Sequence, residues 1–398
     1  MPDNICMIVL SDYPFDPRVR RQAEVLEKAG YNIDIICLRG ESQEKVEKMG
    51  FVTVYRIMKA ADKESMAKYM LLSLSFFLLS LIKLQELSFR NSYKLIQVHN
   101  MPDFLVFSGF IQKLMGKRLV LDIHDLTVEL FETRWPEKKK SLLMKFVRLV
   151  EKMSCGFADH VITVTDACKM RLMERGVPDK KITLVLNTAD PEIFRFDDKR
   201  SFKKIDSYAK LIYHGTVAER FGIHTAIEAV ALLQKEIPGS TLHIYGKYDP
   251  AYRKRLEKLI TDLGVEQYVT LNGTRSLEEI YEIIKNSDMG LVPYVNDPYM
   301  NIALSTKTFE YAAAGLPVVA SHLYSLSLVF DDQSLKFVRA EDASGFAAAI
   351  AEMCLNPELR CRNSRNASDI VKSISGDVMG RRYLELIKQN IYSKAVIQ

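Results

Sequence analysis

The sequence predicts an α/β protein of two parallel-sheet domains. Three observations carry that prediction. Short apolar runs alternate with amphipathic stretches along nearly all of the 398 residues, the rhythm of repeated strand–helix–strand units. The rhythm breaks across residues 188–207, where charge crowds from Asp190 to Asp206. The length is that of two ordinary domains. The expected division is a first domain over 1–190, a linker over 191–208, a second domain over 209–372, and a C-terminal helix over 373–398 that crosses back to the first domain.

In the first half, residues 5–10 (Ile-Cys-Met-Ile-Val-Leu) are apolar throughout, as in a strand covered on both faces. Arg18 to Ala29 sets Val19, Ala23, Leu26 and Ala29 on one helical face, and Gly30 ends it. Further strands are expected over 31–38, 51–57, 95–99, 119–123, 160–164 and 181–186. Helices are expected between them over 63–88, 102–114, 140–155 and 166–175. The second half repeats the pattern, with strands over 210–214, 240–245, 268–271, 289–293, 318–320 and 337–338. Its helices cover 222–233, 252–263, 277–285, a short stretch before Gly315, 342–354, and 358 to the end. Short links of this kind suit parallel strands joined by helical crossovers.

Hydrophobic residues make up 48% of the chain, ample for two cores, and the net charge of +5 is mild, so no nucleic-acid partner is expected. The six cysteines are scattered with no Cys-x-x-Cys pair, which argues against a zinc site and fits a reducing cytoplasm. Met1-Pro2-Asp3-Asn4 is polar, so no signal peptide is read there. The run 69–82 is apolar but carries three serines and falls short of the about 20 residues a membrane span needs. A buried or membrane-surface helix is expected instead. Lys138, Lys139, Lys140, Lys145, Arg148 and Lys152 share a segment with Leu142, Leu143, Phe146, Val147, Val150 and Met153. That pattern fits a core-facing helix with a charged outer side, or a helix on an anionic membrane. With residues 69–82 it predicts peripheral contact with an anionic membrane, at the inner face of the plasma membrane for a cytoplasmic protein.

Chemistry-bearing residues gather in the turns: Asp12 to Arg18, His99 to Asp103, His124-Asp125, Thr216 to Gly222, Gly246-Lys247, Asn272 to Arg275 and Ser305 to Glu310. Ligands of open parallel sheets bind beyond the carboxyl ends of strands, and two such domains predict a cleft between them. The stretch 301–321 is the most telling. Its short helix, capped by Ser305 or Thr306, offers free backbone N–H groups to an anion such as phosphate. Lys307 and Glu310 are three apart, so both can meet one ligand, Lys307 at a phosphate and Glu310 at a sugar's vicinal hydroxyls. A plain cap beside a solvated Lys and a surface Glu fits the same residues.

The motifs resemble the GT-B glycosyltransferases, and glycosyltransferase family 4 in particular. The resemblance rests on Asp16-Pro17-Arg18-Val19-Arg20-Arg21, on Glu174-Arg175-Gly176-Val177-Pro178 to Asn187, and on His214-Gly215-Thr216 through Glu219-Arg220-Phe221-Gly222. It rests above all on the run Asn301 to Ser321, where Ser305-Thr306-Lys307-Thr308-Phe309-Glu310-Tyr311 precedes Ala314-Gly315-Leu316-Pro317-Val318-Val319-Ala320-Ser321. It implies two Rossmann-like domains facing each other across a cleft. It also implies a retaining transfer of a hexosyl or N-acetylhexosaminyl group from a nucleotide-diphosphate sugar, with a UDP-sugar favoured, onto a saccharide or lipid-linked acceptor in cell-surface polysaccharide synthesis. No metal or other cofactor is implied beyond the nucleotide-sugar co-substrate.

By the same resemblance His124 lies near the donor sugar and its β-phosphate, with Asp125 either orienting it or capping the next helix. Glu310 holds the ribose. Thr216, Gly246, Thr274, Arg275, Ser305, Thr306 and Thr308 are the further candidates for the nucleotide, with 272–275 along the base. The family's sugar-reading Glu is replaced by Ile302, eight positions before Glu310, and its Arg and Lys by Thr216 and Phe221. Arg220 and Lys307 are left as the cations for the diphosphate, although Arg220 could instead pair with Glu219. These departures keep two alternatives open: a GT-B-fold nucleotide-sugar 2-epimerase, and a non-catalytic nucleotide-binding subunit.

Overall fold

The structure, a computed structural model, describes residues 3–60, 66–139 and 141–392. The beginnings of the helices expected over 63–88 and 140–155, and the end of the C-terminal helix, lie outside the described residues. The chain forms two compact units, one running to Leu186 and resumed at Asp377, the other from Asn187 to Gly376.

The first unit contains β1 (Asn4–Asp12), α1 (Pro17–Lys28), β2 (Asn32–Arg39), β3 (Val46–Met49), β4 (Val52–Lys59), α2 (Met66–Arg90) and β5 (Tyr93–His99). It continues with α3 (Phe110–Leu114), β6 (Arg118–Ile123), α4 (Thr127–Arg134), α5 (Leu142–Phe157), β7 (His160–Thr163), α6 (Asp166–Glu174) and β8 (Ile182–Leu184). The sheet order is β3-β4-β2-β1-β5-β6-β7-β8. β3 is antiparallel to β4 and the other pairings are parallel. Ile5 to Ile8 at its centre are fully buried, which is why residues 5–10 of β1 are apolar throughout. The strand order turns between β1 and β5. The segments after β1, β5 and β6 therefore meet at one carboxyl edge, the place where such sheets hold ligands.

The second unit contains β9 (Lys210–His214), α7 (Ile223–Leu233), β10 (Thr241–Tyr245), α8 (Pro250–Leu263), β11 (Val269–Asn272), α9 (Leu277–Lys285) and β12 (Met289–Val292). Then come α10 (Thr306–Ala313), β13 (Val318–Ser321), α11 (Tyr324–Ser327), β14 (Lys336–Val338), α12 (Ala343–Leu355) and α13 (Pro357–Ser373). All its strands are parallel, in the order β11-β10-β9-β12-β13-β14. The turn of strand order falls between β9 and β12.

Several elements differ from expectation. β3 was not anticipated: its residues are mostly exposed, and pairing at the sheet edge rather than burial makes it a strand. α4 was also missed, because it buries Glu129 and Glu132 beside Val128 and so lacks a clean apolar face. The helix expected over 102–114 is a 3-10 turn over Asp103–Gly109 followed by the short α3. The charged stretch read as a linker packs within the second unit. Phe194 is buried there, Arg200 donates to the carbonyls of Ser287 (2.7 Å) and Ile284 (2.9 Å), and Arg360 donates to the carbonyl of Lys203. The last helix, α14 (Gly376–Tyr392), joins the first unit. Its buried Tyr383 donates to Gln97 Oε1 on β5 at 2.7 Å.

Gly222 sets the geometry of the turn after β9. It has φ +62° and caps α7, and an added Cβ would lie 1.8 Å from the Pro293 carbonyl oxygen. Backbone must move to admit it. Gly222→Ala is therefore expected to destabilise the second unit by about 2–4 kcal/mol, read as a lower urea midpoint by circular dichroism.

Candidate functional site

In the second unit, the ends of β9 and β12 and the start of α10 enclose a cavity of about 450 Å³, the size of a small-ligand pocket. Lys307 lies at its heart. Its side chain leaves the first turn of α10 and the residue is only 7% exposed. The ammonium sits 4.7 Å from the ring centre of Tyr294, 4.8 Å from that of Tyr213 and 5.3 Å from that of Phe221. It donates a hydrogen bond to Tyr294 Oη, which lies 3.0 Å from Ser305 Oγ. Ring faces attract a desolvated cation by about 2 kcal/mol. Among the described residues no carboxylate pairs with this ammonium, so its charge is left for something else. Gly215, at φ +109°, makes the room: a Cβ there would lie 3.3 Å from Lys307 Cε.

The helix start adds to the same field. Ser305 occupies the N-cap position but makes no capping hydrogen bond, and the first turn of α10 holds no acid. The expected Ser or Thr cap is thus corrected, because the Ser305 hydroxyl is taken by Tyr294. The uncapped N–H groups and the positive helix end face an anion-sized space. Glu310, one turn on, lies along the cavity with Oε2 3.1 Å from His214 Nε2. Burial and then the Lys307 charge push His214 down to about 3, so it is neutral. Arg220 reaches the cavity with its guanidinium 5.6 Å from the Tyr299 ring centre. It does not pair with Glu219, which is held by Arg255 at 2.8 Å.

In the first unit, His99, Asp122 and His124 form a buried cluster. His99 Nδ1 is 3.0 Å from His124 Nε2 and 3.2 Å from Asp122 Oδ2. Gln22 of α1 donates to the same carboxylate oxygen at 2.7 Å, and Gln97 at 3.3 Å. Burial opposes ionisation of Asp122, but His124, His99 and Gln22 together hold it well below the usual carboxylate range. Burial pushes His124 down to about 4 against the pull of Asp122. A neutral His124 that accepts from His99 carries its proton on Nδ1, a buried atom with no hydrogen-bond partner among the described residues. The three ligand atoms also lie within 4.8 Å of one another, a metal-like spacing, but the hydrogen bonds account for it. Asp125 lies 3.6 Å from Arg18, and α4 starts at Leu126 without a side-chain cap. His124 is therefore set by His99 and Asp122.

Residues 18–193 match the profile described as Glycosyltransferase Family 4, and residues 194–369 that of Glycosyl transferases group 1. The chain belongs to glycosyltransferase family 4. It is 32% identical over 175 residues to the lipopolysaccharide core biosynthesis glycosyltransferase LpsE of Rhizobium meliloti, covering 44% of this chain and 48% of that one. It is 25% identical over 258 residues to a D-inositol 3-phosphate glycosyltransferase of Corynebacterium kroppenstedtii, covering 61% and 56%. The chain thus spans about half the length of these curated relatives. Sucrose-phosphate synthase of Thermosynechococcus elongatus superimposes with a TM-score of 0.77 at 19% identity over 98% of this chain and 100% of that one. Anabaena HepE, solved with UDP, does so with a TM-score of 0.69 at 15% identity over 97% and 100%. The fold is GT-B.

Within this family 4 chain, Thr216, Arg220, Ser305, Thr306, Lys307 and Glu310 line one cavity. Thr308 is buried with Oγ1 unpartnered among the described residues, and it does not line the cavity. Gly246 supports rather than lines: at φ +153°, a Cβ would lie 1.7 Å from the Gly215 carbonyl oxygen. Thr274 and Arg275 sit exposed after β11, with Arg275 donating to the Thr274 carbonyl at 3.2 Å, away from this cavity. Ile302 is buried and also does not line it. Tyr213, Tyr294, Tyr299 and Asp122 were missed, while His99 and His214 were noted in their turns without a site role. Tyr294 had a signal, since it follows β12 at the ligand edge. The others pair across sequence distances that no motif records.

The depressed histidines make a pH prediction. Unfolded histidine takes a proton near 6.5, whereas folded His124 resists until about 4. The unfolded chain therefore binds more protons in that window, and stability falls as pH drops through it by about 1.4 kcal/mol per pH unit for each such group. His124→Gln is expected to remove that part of the acid slope. The single tryptophan, Trp135, lies in the same unit, so urea midpoints read by its fluorescence between pH 7.5 and 5 check it.

Proposed function

We propose that the protein is a retaining hexosyl- or N-acetylhexosaminyltransferase that moves a sugar from a UDP-sugar to a saccharide or lipid-linked acceptor in cell-surface polysaccharide synthesis. It works without a metal ion or other cofactor. The observation that carries the reading is the buried Lys307 ammonium, without a carboxylate partner, beside an uncapped helix start and Arg220. That constellation suits a diphosphate. The Rhizobium relative, named for lipopolysaccharide core biosynthesis, supports the pathway class. The structures of HepE with UDP and UDP-glucose are consistent with the donor.

On this reading the bond from the sugar's anomeric carbon to the phosphate oxygen breaks, and UDP leaves with the electron pair. Lys307, Arg220 and the α10 N–H groups meet the charge that develops on the diphosphate, the role a magnesium ion plays elsewhere. The acceptor hydroxyl bonds to the anomeric carbon from the face the diphosphate leaves, and its proton passes to the departing phosphate oxygen. Glu310 takes the ribose hydroxyls, and neutral His214 leaves its carboxylate charge intact. His124 offers its Nδ1–H to the substrate as a neutral donor. With Ile302 turned away, no carboxylate stands at the position from which the family reads the sugar.

Incubation with UDP-, GDP- and ADP-sugars is expected to release UDP alone. An epimer formed without nucleotide release would establish the epimerase, and UDP bound with nothing released from any donor would establish the binding subunit. Lys307→Met is expected to lower turnover about 100-fold, as for loss of one transition-state donor. Glu310→Ala is expected to weaken UDP binding about tenfold by calorimetry. Unchanged values in both variants would overturn the assignment.

A further inference from the structure

Two helices of the first unit carry apolar residues on both their inward and their outward sides. On α2 the outward stripe is Leu71, Leu74, Leu78, Ile82 and Phe89, all exposed, while the inward stripe includes the buried Ser73 and Ser80. Ser80 Oγ has no partner among the described residues. Within Ala67–Arg90 an 18-residue window reaches a mean hydropathy of 1.6, with only 28% of that window buried. On α5 the outward stripe is Leu142, Phe146, Leu149 and Met153, again exposed, while the inward side buries Glu151 and Ser154. A helix of a soluble domain turns its apolar face to the core. These two expose apolar faces of the kind that mark an interaction surface.

The helices share one layer. Phe77 of α2 packs edge-on against Phe104 at 5.9 Å, and Phe157 of α5 packs against Phe107 at 5.0 Å, so both flank the segment 103–109. Cations accompany them. Lys145 and Lys152 stand beside the α5 stripe, with no ion-pair partner among the described residues. Between β4 and α2 lies a second cavity, of about 410 Å³, with Arg39, Lys45, Lys59 and Lys83 around it and Leu79 and Ile82 at its rim. Its acid, Glu86, is held by Lys83 at 2.9 Å. Arg39, Lys45 and Lys59 have no ion-pair partner among the described residues.

We propose that the first unit docks on an anionic lipid bilayer through the outward stripes of α2 and α5, with the phosphate of a lipid headgroup in the cavity lined by Arg39, Lys45 and Lys59. Apolar stripes with cations beside them match an acyl layer beneath a sheet of phosphates. A second copy of the chain would set these lysines against one another. α2 lies along the surface and does not cross it, because Phe76, Leu84 and Leu87 on its other side are locked in the core. The proposal does not rest on the transferase reading, and its test needs no sugar.

The test is flotation of the full chain with vesicles of phosphatidylcholine, alone or with about one third phosphatidylglycerol. Wild type is expected to float with the anionic vesicles and at least about tenfold less with the neutral ones. Leu74→Ser with Leu78→Ser is expected to reduce binding about tenfold or more. Lys45→Glu with Lys59→Glu is expected to erase the anionic preference, and both double variants are expected to keep the wild-type circular dichroism and melting midpoint. Absence of binding to anionic vesicles, or equal binding by wild type and both variants, would overturn the proposal. So would a dimer in light scattering that the stripe variants convert to monomer, which would assign the surface to a second copy.

Discussion

The second unit is arranged around one awkward object, an ammonium taken out of water. Lys307 cannot be buried without compensation, and among the described residues no carboxylate pairs with it. The rings of Tyr213 and Phe221 and the phenol oxygen of Tyr294 take that place. Each compensating group then constrains another part of the chain. Tyr213 must end β9, and its hydroxyl is fixed on the Thr216 carbonyl at 2.7 Å. Tyr294 must follow β12 and captures the Ser305 hydroxyl, which strips α10 of its cap. Gly215 must lack a side chain. Phe221 sets its ring 5.3 Å from the Lys307 ammonium. A second ammonium so near Lys307 would repel it, whereas a ring attracts it.

The first unit solves the opposite problem. Asp122 is a buried anion, and its compensation comes from α1, β5 and the turn after β6. α14 closes the network, since Tyr383 holds the Gln97 amide that in turn reaches Asp122. Elements far apart in sequence therefore converge on one carboxylate. A satisfied buried network of this kind fixes its members more tightly than packing alone. His124 inherits that rigidity through His99 and is left with one unsatisfied ring nitrogen.

Much of this was legible in the sequence, and the remainder was hidden for identifiable reasons. Central strands such as β1 and β13 declare themselves because burial on both faces allows only apolar residues. β3 does not, because edge pairing needs no buried face. Periodicity also located α2 and α5 but could not say which side faced the core, because each carries apolar residues on both sides. Within the site, Lys307 and Glu310 stood out by local spacing, and Arg220 and Thr216 through the family resemblance. The cage around Lys307 was not, because Tyr213, Phe221 and Tyr294 meet only when β9 and β12 lie side by side. Ser305 was misread as a cap because a hydroxyl has two possible partners, and only tertiary structure chooses between them. Gly246 also has a structural reason that the sequence did not show, since its missing Cβ admits the Gly215 carbonyl.

The two units share a design at the level of electrostatics. Each places one desolvated charge near the carboxyl ends of the strands of its own sheet. Each holds that charge with neutral or polarisable groups rather than with an opposite charge. A salt bridge would have neutralised the field. Aromatic rings around Lys307 leave the field of the cation almost intact, and amide and imidazole donors do the same for Asp122. What remains is a preorganised positive site in one unit and a fixed, neutral imidazole in the other, both set before any substrate arrives. Transition-state charge is stabilised most by dipoles and charges that need not reorganise as it forms. The missing counter-ion of Lys307 is, in that light, the feature that ties the packing of the second unit to its chemistry.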